Sequence, residues 1–153
     1  MSRTIEHTIT VDASPDAVFR ALTDAAELER WFPSAVESDP RPGGAYRYSF
    51  EFEQDTSRNH TYAGTYTAFE PPARVAYDWQ TNDGPTTVEF RVAPSGTGSE
   101  VSLSHTGWER HSDEGVEEFR QGWGGFLANL KSYLEGGEDV RATAMGMRTK
   151  ARA

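Results

Sequence analysis

Four histidines, His7, His60, His105 and His111, are the side chains of this sequence that titrate near neutrality. A histidine facing an apolar interior can act as a general base or donate a hydrogen bond to a carbonyl. His7 alternates with Ile5 and Ile9, and His105 follows Val101 and Leu103 at the same two-residue step, so both are placed to point inward. They are the candidate catalytic residues. The competing reading is that each is a core imidazole bonded to backbone or to a tyrosine. His105 and His111 are too loosely spaced for a zinc pair and no HExxH occurs, so no metal is expected. The absence of cysteine removes thiolate nucleophiles and disulfides. Glu51 and Glu53 form a carboxylate pair, but their phase opposes Tyr48, Phe50 and Phe52, which turns them to solvent. The glycine-rich pieces Gly43-Gly44, Gly96-x-Gly98 and Gly122-x-Gly124-Gly125 lack a phosphate-loop Lys-Ser/Thr and a strand-to-helix context. No cofactor is expected.

Aromatic residues are the other resource for chemistry. Tyr46, Tyr48, Tyr66, Tyr77 and Trp79 share inward strand phases and would make a wall with polar tips, able to stack on a flat molecule and orient it. Phe119, Trp123 and Phe126 would face that wall from a helix. The residues expected to touch a ligand are therefore Tyr48, Tyr66, Trp79, Phe90, His105, Phe119 and Trp123. A solid aromatic core is the alternative, above all for Trp123.

The elements that must position these groups are legible in the periodicity. Val116, Phe119, Trp123, Phe126, Leu127, Leu130, Tyr133 and Leu134 recur at steps of three and four, one face of a long helix beginning near Ser112 or Asp113 and ending at Gly136-Gly137. A first strand alternates from Ile5 to Val11. Ser14-Pro15-Asp16 then starts one short helix, and Asp24-Ala25-Ala26-Glu27 a second that stops at Pro33. Further strands carry Tyr46 to Phe52, Tyr62 to Phe69, Val75 to Trp79, Val88 to Val92 and Val101 to His105, separated by turns too short for a parallel crossover. Gly64 marks a bulge or a close backbone approach. One long helix laid in the concave face of a curved antiparallel sheet of six to seven strands gives an α+β, helix-grip fold. Residues 1–136 are expected to form this single domain, and 137–153, which have no sustained period, a flexible tail.

At this point the chain resembles the Aha-type branch (activator of heat-shock-protein ATPase, C-terminal-domain-like) of the START/polyketide-cyclase superfamily, often abbreviated SRPBCC. The resemblance rests on Ser14-Pro15 with Val18-Phe19, on Leu28 with Trp31-Phe32, and on Gly43-Gly44-Ala45-Tyr46. It continues through Gly64-Thr65-Tyr66 to Glu70-Pro71-Pro72-Ala73-Arg74-Val75 and Trp79. Gly96-Thr97-Gly98-Ser99-Glu100-Val101, Leu103-Ser104-His105-Thr106-Gly107-Trp108, and Gly122-Trp123 with Leu127, Leu130 and Tyr133-Leu134 complete it. It implies a START-like domain with a hydrophobic pocket and carries no catalytic motif with it.

Residues 1–136 hold 22 acidic and 11 basic side chains. Such a body repels phosphate backbones and anionic lipid, which argues against nucleic-acid and membrane-surface partners. No apolar leader or spanning run is present, so the cytoplasm is the expected compartment and no membrane insertion is expected. The leading functional expectation is a binding protein for a small hydrophobic or aromatic ligand held between sheet and helix. The alternatives are a cofactor-independent cyclase, dehydratase or hydrolase acting on such a ligand, and a co-chaperone-like partner-binding module. A homodimer through an edge strand or the long helix fits the pattern; a chaperone partner is not expected.

Overall fold

The computed structural model describes residues 3–149. Strand β1 (Ile5–Val11) leads into helices α1 (Pro15–Thr23) and α2 (Ala25–Leu28). Six strands follow, β2 (Ala35–Ser38), β3 (Ala45–Phe50), β4 (His60–Glu70), β5 (Arg74–Thr81), β6 (Gly84–Ser95) and β7 (Gly98–Thr106). Helices α3 (Asp113–Leu134) and α4 (Arg141–Ala144) end the chain. All seven strands form one antiparallel sheet in the order β1-β7-β6-β5-β4-β3-β2, a meander closed at one edge by β1. This is the helix-grip arrangement the periodicity predicts. No helix of the described residues is long and apolar enough to cross a membrane.

The helix starts follow their capping chemistry. The Ser14 hydroxyl accepts from Ala17 N–H at 3.2 Å, the Asp24 carboxylate from Glu27 N–H at 3.2 Å and the Ser112 hydroxyl from Gly115 N–H at 3.0 Å. α3 runs for 22 residues, about 33 Å at the α-helical rise. Gly64 is a close approach, since a Cβ there would lie 2.6 Å from the Asp78 carboxylate and 2.8 Å from the Tyr46 ring. The register irregularity in that strand falls between Tyr66 and Ala68 instead.

Two features depart from the sequence reading. β2 is not anticipated, because four residues between Pro33 and Pro40 are too few for a period to show. The flexible tail expected from residue 137 is also corrected, since residues 139–148 are packed against the body. Arg141 is completely buried. Its guanidinium pairs with Asp139 at 2.8 Å and donates to the carbonyls of Glu29 (2.8 Å), Phe32 (3.3 Å) and Pro33 (2.8 Å). Asn129 of α3 joins the cluster, donating to Trp31 O and to Asp139 and accepting from Val140 N–H. Beyond it Met147 is buried and bridges Phe52, flanked by hydrogen bonds from Glu53 N–H to Gly146 O and from Arg148 N–H to Glu51 O. One ion pair and one bridge anchor the segment, and neither leaves a repeating pattern in sequence. Residues 150–153 of the expected tail lie outside the described residues.

Removing one partner of a buried ion pair costs about 3–5 kcal/mol, because the other is left desolvated. Arg141→Ala should lose stability of that order in urea unfolding and free the amides of residues 140–148 to hydrogen exchange. Unchanged stability and protection would show that the clamp holds nothing.

Candidate ligand cavity

The sheet's concave face is not evenly filled. Towards one end the tyrosines of β3, β4 and β5 close on one another. The Tyr46 and Tyr48 rings lie 4.4 Å apart, Tyr46 and Tyr77 5.1 Å, and Tyr48 and Tyr77 5.9 Å. Towards the other end the walls separate around a cavity of about 400 Å³, half open to solvent. Its lining comes from the residue before Pro33 (Phe32), the end of β3 and beyond (Phe50, Phe52), β4 and its approach (Arg58, His60, Tyr62), β5 (Trp79), and one face of α3 (Glu118, Phe119, Gly122, Trp123, Phe126).

Phe32 forms the floor. Its ring stacks on Trp123 at 5.1 Å and meets Phe126 edge-on at 4.9 Å and Phe50 at 5.3 Å. Tyr62 lies flat on Trp79 at 4.2 Å, and His60 meets Tyr62 at 4.4 Å. The loop between β3 and β4 is shaped by its own polar side chains. Asn59 accepts from Phe52 N–H at 2.7 Å, and Asp55 caps the 3₁₀ turn Thr56–Arg58. That turn sets the Arg58 guanidinium 4.1 Å from the Phe52 ring centroid. The indole N–H of Trp79 is buried without an acceptor among the described residues, a cost of about 1–3 kcal/mol.

Of the seven residues expected at a ligand, Trp79, Phe119 and Trp123 line this cavity. Tyr48, Tyr66, Phe90 and His105 are not among its walls and are buried in the packed interior. The phenols form a closed chain. Tyr48 O–H donates to Tyr66 Oη (3.3 Å), Tyr66 O–H to Ser38 Oγ (2.6 Å), and Ser38 to Thr23 O (2.9 Å). Burial pushes the Tyr48 and Tyr77 phenols well above their ordinary range, which keeps them neutral.

His105 is equally committed. Trp123 Nε1–H donates to its Nδ1 at 2.9 Å, which leaves the proton on Nε2. Nε2–H donates to Thr86 Oγ1 at 2.7 Å, and Thr86 in turn donates to Trp79 O at 2.6 Å. Both ring nitrogens are spent, as the core-imidazole alternative requires. Burial, with His111 as a smaller cause, holds the imidazole down to about 3 against an ordinary 6.5. His7 contacts the other side of α3, its Nε2 lying 3.0 Å from Arg120 O, and does not line the cavity. The titratable groups that do line it are Arg58, His60, Tyr62 and Glu118.

A curved antiparallel sheet gripping one long helix around a half-open aromatic cavity is the helix-grip, SRPBCC type of domain. Residues 12–135 match the model of the family described as Activator of Hsp90 ATPase homolog 1-like protein, and the chain belongs to that family. No curated protein sequence matches the chain. Among solved structures it is similar to protein CV1439 from Chromobacterium violaceum, at 27% identity and TM-score 0.76 over 86% of this chain and 97% of that one. CalU16 from Micromonospora echinospora is similar at 26% identity and TM-score 0.68, over 86% of this chain and 75% of its own. The Aha1 protein from Colwellia psychrerythraea, whose solution structure is a dimer, shares 23% identity at TM-score 0.74 over 90% and 99%.

Phe126, expected to face the aromatic wall from the long helix, lines the cavity as well, and the other wall residues were not among the expected ligand contacts. Phe50 and Phe52 carried the right phase, two and four residues beyond Tyr48. His60 lies in phase with Tyr62, and a strand begun two residues earlier would have shown it. Arg58 had no periodic signal, because the 3₁₀ turn places it.

The neutral state of His105 has a consequence for stability. Between about pH 6.5 and 3 the unfolded chain binds a proton there that the folded chain does not. This residue's contribution is therefore complete above pH 6.5 and falls by about 1.4 kcal/mol per unit as the pH drops. A glutamine at this position can accept from Trp123 and donate to Thr86 without titrating. The stability difference between wild type and His105→Gln should narrow in the mutant's favour by about 2 kcal/mol from pH 7 to pH 5 in urea unfolding. A difference independent of pH would mean that the imidazole is not held neutral.

Proposed function

We propose that the protein binds a small hydrophobic or aromatic molecule in the cavity between the sheet and α3. The observation that carries this is the convergence of eight aromatic side chains, Phe32, Phe50, Phe52, Tyr62, Trp79, Phe119, Trp123 and Phe126, on one half-open space of about 400 Å³. Ligand sites are concave spaces of this size, mostly apolar, with a few polar groups at the edge. The unmatched indole N–H of Trp79 supports a ligand that carries an oxygen, which could accept it once the Tyr62 ring moves aside. The geometry weighs against catalysis by His105, whose two ring nitrogens are bonded in the interior, and by His7, whose Nε2 contacts Arg120 O outside the cavity lining. Any proton transfer at a ligand would fall to His60, Tyr62 or Glu118.

Gly122 offers a clean test. It lies on the cavity wall, and a Cβ built on it meets nothing within 4 Å. Gly122→Leu should fill the cavity without a clash and gain up to about 1 kcal/mol of helix propensity. We expect the wild type to bind a neutral bicyclic probe such as 2-naphthol in calorimetry, with about 2.7 kcal/mol of stabilisation at one hundred times the dissociation constant. We expect Gly122→Leu to be at least as stable and not to bind. Equal binding by both proteins would place the probe elsewhere.

The Colwellia relative supports a second proposal, that two copies of this chain associate through a free sheet edge, β1 or β2. Light scattering should return twice the chain mass at micromolar concentration, and a monomer across that range would retire the idea.

A further inference from the structure

Arg58 is one of the few cations of this acidic surface outside the ion pairs of the described residues. The sequence holds 24 acidic and 15 basic residues, so carboxylates must be left over while every cation could find a partner. Ten of the thirteen basic side chains between residues 3 and 149 do form ion pairs. Arg58 forms none with any described residue. The carboxylates nearest to it in sequence are turned to other work, Asp55 to the N–H and hydroxyl of Ser57 and Glu53 to Arg148. The guanidinium instead lies over Phe52 on the wall of the cavity. A planar fork of N–H donors stacked on an aromatic ring and free of a counter-ion is a receptor for a carboxylate.

Resting on the reading of the cavity as a ligand site, we propose that its ligand is an aromatic acid. The rings lie among Phe32, Trp79, Trp123 and Phe126, and the carboxylate pairs with Arg58 at the mouth. Glu118, on the α3 wall, is the opposing charge. It belongs to the first half of a helix that already carries Asp113, Glu114 and Glu117, where an unpaired carboxylate is ordinary. It disfavours an anion on its own side and so orients the acid group toward Arg58.

Calorimetry with three probes of one ring system tests this: 2-naphthoate, neutral 2-naphthol and 2-naphthylmethylammonium. The wild type should bind naphthoate at least about tenfold more tightly than naphthol, the range of a charge-assisted hydrogen bond, and the cation most weakly. Raising the salt should narrow that preference. Arg58→Gln, a change at an exposed side chain, should abolish the preference for naphthoate over naphthol. Glu118→Gln should strengthen naphthoate. Equal affinities in the wild type, a preference that survives Arg58→Gln, or tightest binding of the cation would each overturn the aromatic-acid assignment while leaving the cavity a ligand site. Failure of all three probes to bind would overturn the cavity reading itself, and this assignment with it.

Discussion

The structure turns on how five residues between α2 and β2 are held. After the four-residue helix the carbonyls of Glu29, Trp31, Phe32 and Pro33 lie outside any helix or sheet ladder, and such groups are costly when buried. The carbonyls of Glu29, Phe32 and Pro33 are met by one guanidinium, that of Arg141, and the carbonyl of Trp31 by Asn129. Asp139 neutralises the arginine and also binds the asparagine. Three parts of the chain distant in sequence are thereby locked at one point: the short helices, the long helix and the C-terminal segment. Phe32 projects from that point into the aromatic interior, where its ring contacts Trp31, Tyr48, Phe50, Trp79, Trp123 and Phe126. The floor of the cavity therefore rests on an ion pair outside it.

A second polar arrangement fixes the opposite wall. The run from Trp123 through His105 and Thr86 to the carbonyl of Trp79 ties α3 to β7, β6 and β5 in sequence. Trp108 adds a bond from its indole to the carbonyl of His105. Every donor in that run has an acceptor, so the desolvation of a buried imidazole is offset and the two tryptophans on the cavity wall are held by backbone-anchored bonds. The contrast with the cavity itself is chemical. Its interior-facing donor, Trp79 N–H, lacks an acceptor, and its cation, Arg58, lacks an anion among the described residues. Satisfied polar groups build this part of the frame, whereas the Trp79 N–H and the Arg58 guanidinium belong to residues of the cavity wall.

Much of the frame was legible in the sequence because it depends on period and on caps. Ser14, Asp24 and Ser112 are caps in the structure as their side chains suggest, and the apolar steps from Val116 to Leu134 do define one helix. Strand phase also sorted inward from outward residues correctly at Tyr48, Tyr66, Phe90 and His105, all of which are buried. Phase says which way a side chain points and nothing about how far the facing layer stands off. Tyr48 and Phe52 share a phase, yet one is packed among tyrosines and the other borders open space, because α3 and the short helices meet the sheet unevenly along its strands. The buried Arg141 was illegible for a different reason. A lone arginine in an aperiodic segment reads as solvated until the carbonyls that receive it are located, and those lie more than a hundred residues earlier.

The same distinction governs what membership of this family can say about function. The residues that carry the family resemblance are mostly turns, caps and packing positions, which maintain the grip of sheet on helix. The cavity is also shaped by residues outside that set: Phe52, Arg58 and His60 on or beside the β3–β4 loop, and Glu118 on α3. A glycine at 122 in place of a larger side chain costs helix stability and keeps the space open. An arginine at 58 stands without an ion pair among the described residues of an acidic protein. Arg58 lies outside the residues that carry the resemblance, so it is the kind of position through which one scaffold can be adapted to different ligands.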